Sequence, residues 1–75
     1  MDFVIEYEQE EDGRWIAEIE ALPGVLAYGE TNIQAGARAK ALALRVLADR
    51  IENESSLPGI NSIAFTSSNE SMAVQ

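Results

Sequence analysis

Carboxylates are the residues of this 75-residue chain whose number and spacing could support chemistry. Glu18, Glu20, Glu30 and Asp12 could in principle hold two divalent ions, which would activate water and cleave a phosphodiester. Their placement argues otherwise. Glu18 and Glu20 share the polar face of an alternating segment, with no pocket indicated, and solvated carboxylates are the ordinary case. The chain has no cysteine and no histidine. That removes thiolate ligands, the commonest metal ligand and the commonest general base at neutral pH. Its serines and threonines lack a base to activate them. Gly29-Glu30-Thr31 and Leu22-Pro23-Gly24 lack the glycine spacing and the lysine of a phosphate loop. Trp15 and Tyr7 could stack on a ligand, but cross-strand packing is the better reading. No catalytic residue, metal ligand or cofactor is therefore assigned, and the chain is not expected to be an enzyme.

Charge is the stronger signal. The net charge is −8, which argues against nucleic-acid binding through cationic contacts and suits a basic partner. Residues 1–21 carry Asp2, Glu6, Glu8, Glu10, Glu11, Asp12, Glu18 and Glu20 against a single Arg14. The other basic residues, Arg38, Lys40, Arg45 and Arg50, fall in one helical segment. No apolar run reaches transmembrane length and no leader pattern is present, so a soluble cytoplasmic protein is expected.

The elements that must position these charges can be read from periodicity. Residues 2–10 alternate, with Phe3, Ile5 and Tyr7 on one face and Glu6, Glu8 and Glu10 on the other. Residues 14–21 alternate as well, with Trp15, Ala17, Ile19 and Ala21 opposed to Glu18 and Glu20. Ile16 is the exception, an apolar residue on the polar face. Register selects the turn. A two-residue loop would pair Tyr7 with Glu18. The three-residue loop Glu11-Asp12-Gly13 pairs Tyr7 with Ala17 and Glu10 with Arg14, and puts Gly13 at the left-handed position. It also sets Glu6 across from Glu18, an unfavourable pairing on a face that could be reserved for a positive partner. Glu6, Glu8, Glu18 and Glu20 are the candidate partner-binding residues on this charge argument.

Leu22-Pro23-Gly24 ends the second strand, and residues 25–28 form a short third one. Thr31 and Gln34 make a capping box for a helix over residues 32–53. Ala35, Ala39, Leu42, Ala43, Val46 and Leu47 form its core stripe. A second stripe, Ala37, Ala41, Leu44, Ala48 and Ile51, lies on the far side. One small sheet cannot cover both, so the second stripe is the expected contact of a homo-oligomer. Gly36 costs helix propensity, and the sequence leaves its reason open. A loop with Pro58-Gly59 leads to a fourth strand over residues 60–66, with Ile63 and Phe65 sharing a face. The expected organisation is one α+β domain over residues 1–66, β-β-β-α-β, with three strands antiparallel, followed by a polar, disordered tail over 67–75.

Over most of this span the chain resembles the HicB family of antitoxins. The resemblance rests on a strand, then DGRWIAEIEALPGV, then YGET, then the Ala/Leu-rich helix. Asp12, Gly13, Trp15, Ala17, Leu22, Pro23, Gly24, Gly29 and Thr31 match the family pattern. The resemblance implies a partial ribonuclease-H-like fold and pairing with a HicA toxin, a small basic ribonuclease that cuts messenger RNA. In a type II toxin–antitoxin system the antitoxin covers the toxin's active surface. Family members also form dimers or tetramers. Many carry a C-terminal DNA-binding module; here the residues after the helix are neutral to acidic, so a short single-domain form without DNA binding is expected. The alternatives are an orphan oligomeric binding protein of this fold and a divalent-metal nuclease.

Overall fold

A computed structural model of the chain describes residues 1–54 and 62–68. The order of elements is β1 (Asp2–Gln9), β2 (Trp15–Glu18), β3 (Leu26–Gly29), α1 (Asn32–Glu54) and β4 (Ala64–Ser67). The four strands form one mixed sheet in the order β3-β2-β1-β4. The fold is α+β, with β1, β2 and β3 antiparallel and β4 parallel to β1. A parallel pair needs a long crossover, and the segment containing α1 supplies it by linking one sheet edge to the other.

The β1–β2 hairpin has the register expected from the three-residue loop. Tyr7 pairs with Ala17 and Glu6 with Glu18. Gly13 has φ +95°, and its amide donates to the Glu10 carbonyl at 2.9 Å. The Glu10 amide donates to the Arg14 carbonyl at 2.7 Å, so those two residues face each other. The ladder of β2 is shorter than expected. It stops at Glu18, and a tight loop follows in which the Ile19 amide meets the Val25 carbonyl at 3.1 Å. Ala21 is therefore exposed in a turn instead of continuing the apolar face. The third strand is displaced by one residue from the expected range.

The capping box forms in a shifted version. Thr31 Oγ1 accepts from the Gln34 amide at 3.0 Å, while Gln34 Oε1 accepts from the amide of Glu30 at 2.7 Å. One of the amides that a helix start leaves without a partner, that of Gln34, is thereby satisfied, and so is the Glu30 amide just before the cap.

The core lies between α1 and one face of the sheet. Ala35, Ala39, Ala43 and Leu47 of the helix are buried against Phe3, Ile5, Ala17, Ile19, Leu22 and Val25, with Leu42 and Val46 partly buried beside them. Volume complementarity explains the composition: small alanines bring the helix close, and branched side chains from the sheet fill the layer. Full burial of a residue such as Ile5 or Ile19 stabilises by roughly 1.5–3 kcal/mol.

Two glycines set this close approach. A Cβ on Gly29 would lie 2.5 Å from the Ala35 amide nitrogen, so β3 passes directly under the first turn of α1. Gly36 faces the hydroxyl of Tyr7, which occupies the space a side chain would take. The helix propensity lost at Gly36 is exchanged for seating a large ring.

At the other edge, Phe65 stacks on Phe3 with ring centroids 5.9 Å apart, and Ile63 packs on the same core. The strand runs to Ser67, and the Ser68 amide donates to the Ile5 carbonyl at 3.0 Å. Pairing thus continues past residue 66. The Pro58-Gly59 loop, the first residues of the expected fourth strand and the tail from residue 69 lie outside the described residues.

Candidate functional site

The sheet face away from α1 is the candidate site. Strand alternation places Val4, Glu6 and Glu8 of β1, Ile16 and Glu18 of β2, and Leu26 and Tyr28 of β3 on it. All are exposed or half-buried, and no described helix covers them.

The strand register sorts this face into two regions. Glu6 lies across from Glu18, and the Glu20 carboxylate swings back from the turn after β2 to join them. Carboxylate oxygens of the three lie within 4.8 Å of one another. The negative charge of Glu20 raises the pKa of Glu6 most, followed by desolvation and by Glu18. A hydrogen bond with Glu20 adds to the same effect. Glu8 pairs with Ile16 and lies outside this triad, but it is exposed on the same face and borders the same depression as Glu6 and Glu18. The second region is apolar: Ile16 lies across from Tyr28, and Leu26 lies across from Glu18. Leu26 and Tyr28 keep about 40% and 42% of their surface exposed.

This apolar strip is what sequence reasoning missed. Its signal was Ile16 out of phase on a polar face, and the alternation of Leu26 with Tyr28 in the third strand. Neither can be assigned to a common surface until β3 is placed beside β2.

The carboxylates considered for two-metal chemistry do not assemble as a set. Asp12 is engaged at the hairpin tip, where its Oδ1 accepts from the Arg14 amide at 3.0 Å and its Oδ2 contacts Arg14 Nε at 2.9 Å. The hydrogen bond from the Arg14 amide is the main cause holding its carboxyl below the ordinary range. Glu30 precedes the helix and lines a depression with Arg14, Tyr28 and Arg38. Of the four, only Glu18 and Glu20 come together, with Glu6 as their third member. Glu6, Tyr7, Glu8, Ile16, Glu18 and Ser68 border a half-open depression. Three carboxylates on an open sheet suit the guanidinium or ammonium groups of an approaching protein, since charge-assisted hydrogen bonds would offset their mutual repulsion.

Trp15 and Tyr7 pack against the core from its margin. Arg14 stacks its guanidinium over the Tyr28 ring, 5.0 Å from the centroid. Arg38 Nη1 donates to the Tyr28 carbonyl at 2.9 Å. That contact ties the helix to the sheet edge and occupies a carbonyl that a stray strand could otherwise use.

On the opposite side of the molecule, Ala37, Ala41, Leu44, Ala48 and Ile51 are all exposed. Leu44 keeps 46% and Ile51 48% of its surface accessible. Ile33, one turn before Ala37, extends the stripe with 80% exposure. Among the described residues no helix is long and apolar enough to cross a membrane. Comparison with protein-family models, curated proteins and solved structures finds no match for the chain.

Proposed function

We propose that this chain is a HicB-like antitoxin that binds a HicA-type ribonuclease toxin and occludes its RNA-cleaving surface. On this reading it acts in the cytoplasm, stoichiometrically, with no chemistry of its own. The observation that carries the reading is the open sheet face, where Glu6, Glu18 and Glu20 converge beside Ile16, Leu26 and Tyr28. An interface needs both parts. Exposed apolar side chains supply area removed from water, and a charged cluster supplies orientation and a faster encounter with a basic partner. The net charge of −8 extends that attraction beyond contact range.

Calorimetry with a purified HicA-type toxin, with messenger-RNA cleavage followed in parallel, tests it. Tight binding with loss of cleavage is expected. The double variant Glu6→Lys/Glu18→Lys should weaken binding and reduce its salt dependence, and Ile16→Asp should weaken binding at any salt. Affinity unchanged in both variants would remove the interface from this face. Failure to bind any of several such toxins would favour an orphan oligomeric binding protein, the reading that the exposed helix stripe supports.

A further inference from the structure

We propose that the outward face of α1 docks an acidic amphipathic helix of another protein, one whose apolar seam is bordered by carboxylates. The surface is the stripe Ile33, Ala37, Ala41 and Leu44, spaced by three or four residues and about 16 Å long at 1.5 Å per residue. All four are exposed, Ile33 at 80% and Leu44 at 46%. The two alanines leave a shallow groove between the larger side chains, so a second helix axis can come close. Apolar character alone would suit many occupants.

The charges beside the stripe narrow the choice. The helical repeat puts Arg38 and Arg45 next to Ala41 on one border, and Lys40 next to Ala37 and Leu44 on the other. From Asn32 to Ala48 the helix has no acidic residue, although the chain has 13 acidic residues and only 5 basic ones. Among the described residues none of these three cations is ion-paired; the salt bridge there joins Arg14 to Asp12. Asp49, one turn beyond Arg45, faces Asn53, whose Nδ2 donates to its Oδ1 at 2.8 Å. Glu30 shares a depression with Arg38 but makes no ion pair with it. Arg38 gives one N–H to the Tyr28 carbonyl, and its guanidinium carries further donors. Carboxylates along both borders of a partner helix would form charge-assisted hydrogen bonds with these groups, while its apolar seam covers Ile33 and Leu44. A second copy of the chain fits less well. In an antiparallel pair centred level with Leu42 and Ala43, Lys40 meets Arg45; in a parallel pair each cation meets its own counterpart. A basic toxin is repelled here for the same reason, so the two faces select partners of opposite charge. The inference does not depend on the antitoxin reading.

Fluorescence anisotropy with two dye-labelled synthetic helices tests it. Both have about three heptads with leucine at a and d; one carries glutamate beside that seam and the other lysine. Overall attraction to a chain of net charge −8 would favour the lysine peptide. The expected result is that the glutamate peptide binds, with an affinity that falls as salt rises. Leu44→Glu, and separately the double variant Lys40→Glu/Arg45→Glu, should each weaken that binding at least about tenfold. Their circular-dichroism spectra should be unchanged, because all three side chains are exposed. Glu6→Lys/Glu18→Lys, on the other face, should not weaken it. No binding of the glutamate peptide, or binding that either helix variant leaves intact, would overturn the proposal. Light scattering tests the rival occupant: a multi-subunit mass that Leu44→Glu reduces to one subunit would assign the stripe to a second copy and overturn it as well.

Discussion

Gly29→Ala tests the close approach of β3 and α1, on which both faces of the molecule depend. The added methyl would sit 2.5 Å from the Ala35 amide nitrogen, 2.9 Å from its Cα and 3.0 Å from the Gln34 carbonyl carbon, whereas ordinary contacts begin near 3.4 Å. All three obstacles are backbone in the first helical turn, so no side chain can rotate away. The helix must retreat by about 1 Å, which a close-packed interior resists. Overpacking of this kind costs roughly 1–3 kcal/mol. In a domain of this size that lowers the thermal midpoint by about 5–20 °C. The retreat also pulls Arg38 from the Tyr28 carbonyl and loosens the β3 side of the open sheet face. Differential scanning calorimetry and Trp15 fluorescence would follow unfolding. A midpoint within about 2 °C of the parent would refute the reasoning, because it would mean the helix and strand are not in contact at this point.

Three further outcomes are expected. Gly36→Ala meets a side-chain hydroxyl instead of backbone, and regains about 1 kcal/mol of helix propensity. It should therefore destabilise less than Gly29→Ala, and less still in a Tyr7→Phe background; a double-mutant cycle in thermal unfolding checks the coupling. Glu6 has a raised pKa, so the folded state holds its proton more tightly and stability falls as pH rises from 4.5 through the raised value. Glu6→Gln should therefore raise the unfolding midpoint at pH 7 and leave it unchanged near pH 3, where both states of the parent are protonated; an equal shift at both pH values would contradict the sign. Leu47→Ala should cost about 2–5 kcal/mol because Leu47 is buried in the core. Leu44→Ala, the same change on the exposed stripe, should alter the unfolding of dilute protein by no more than about 0.5 kcal/mol in urea titrations.

Local chemistry made much of the fold legible from the sequence. Alternation of Phe3, Ile5 and Tyr7 with glutamates has only one reading at a period of two, and a one-residue slip would have buried Glu18. The hairpin register follows from that constraint together with Gly13. The helix, its Thr31–Gln34 cap and its core stripe follow from spacing and local hydrogen bonding. The opposition of Glu6 and Glu18 needed nothing more.

Tertiary structure decided the rest, because it depends on which elements become neighbours. The parallel pairing of β4 with β1, and with it the stacking of Phe65 on Phe3, joins residues more than sixty positions apart. Glu20 enters the acidic cluster only because the chain turns sharply after Glu18. The apolar half of the site exists only once β3 lies beside β2. Gly36, unexplained in one dimension, has its reason in the Tyr7 hydroxyl across the core. Periodicity reports which side of its own element a residue faces; the surface it then shares is set by packing between elements distant in the chain.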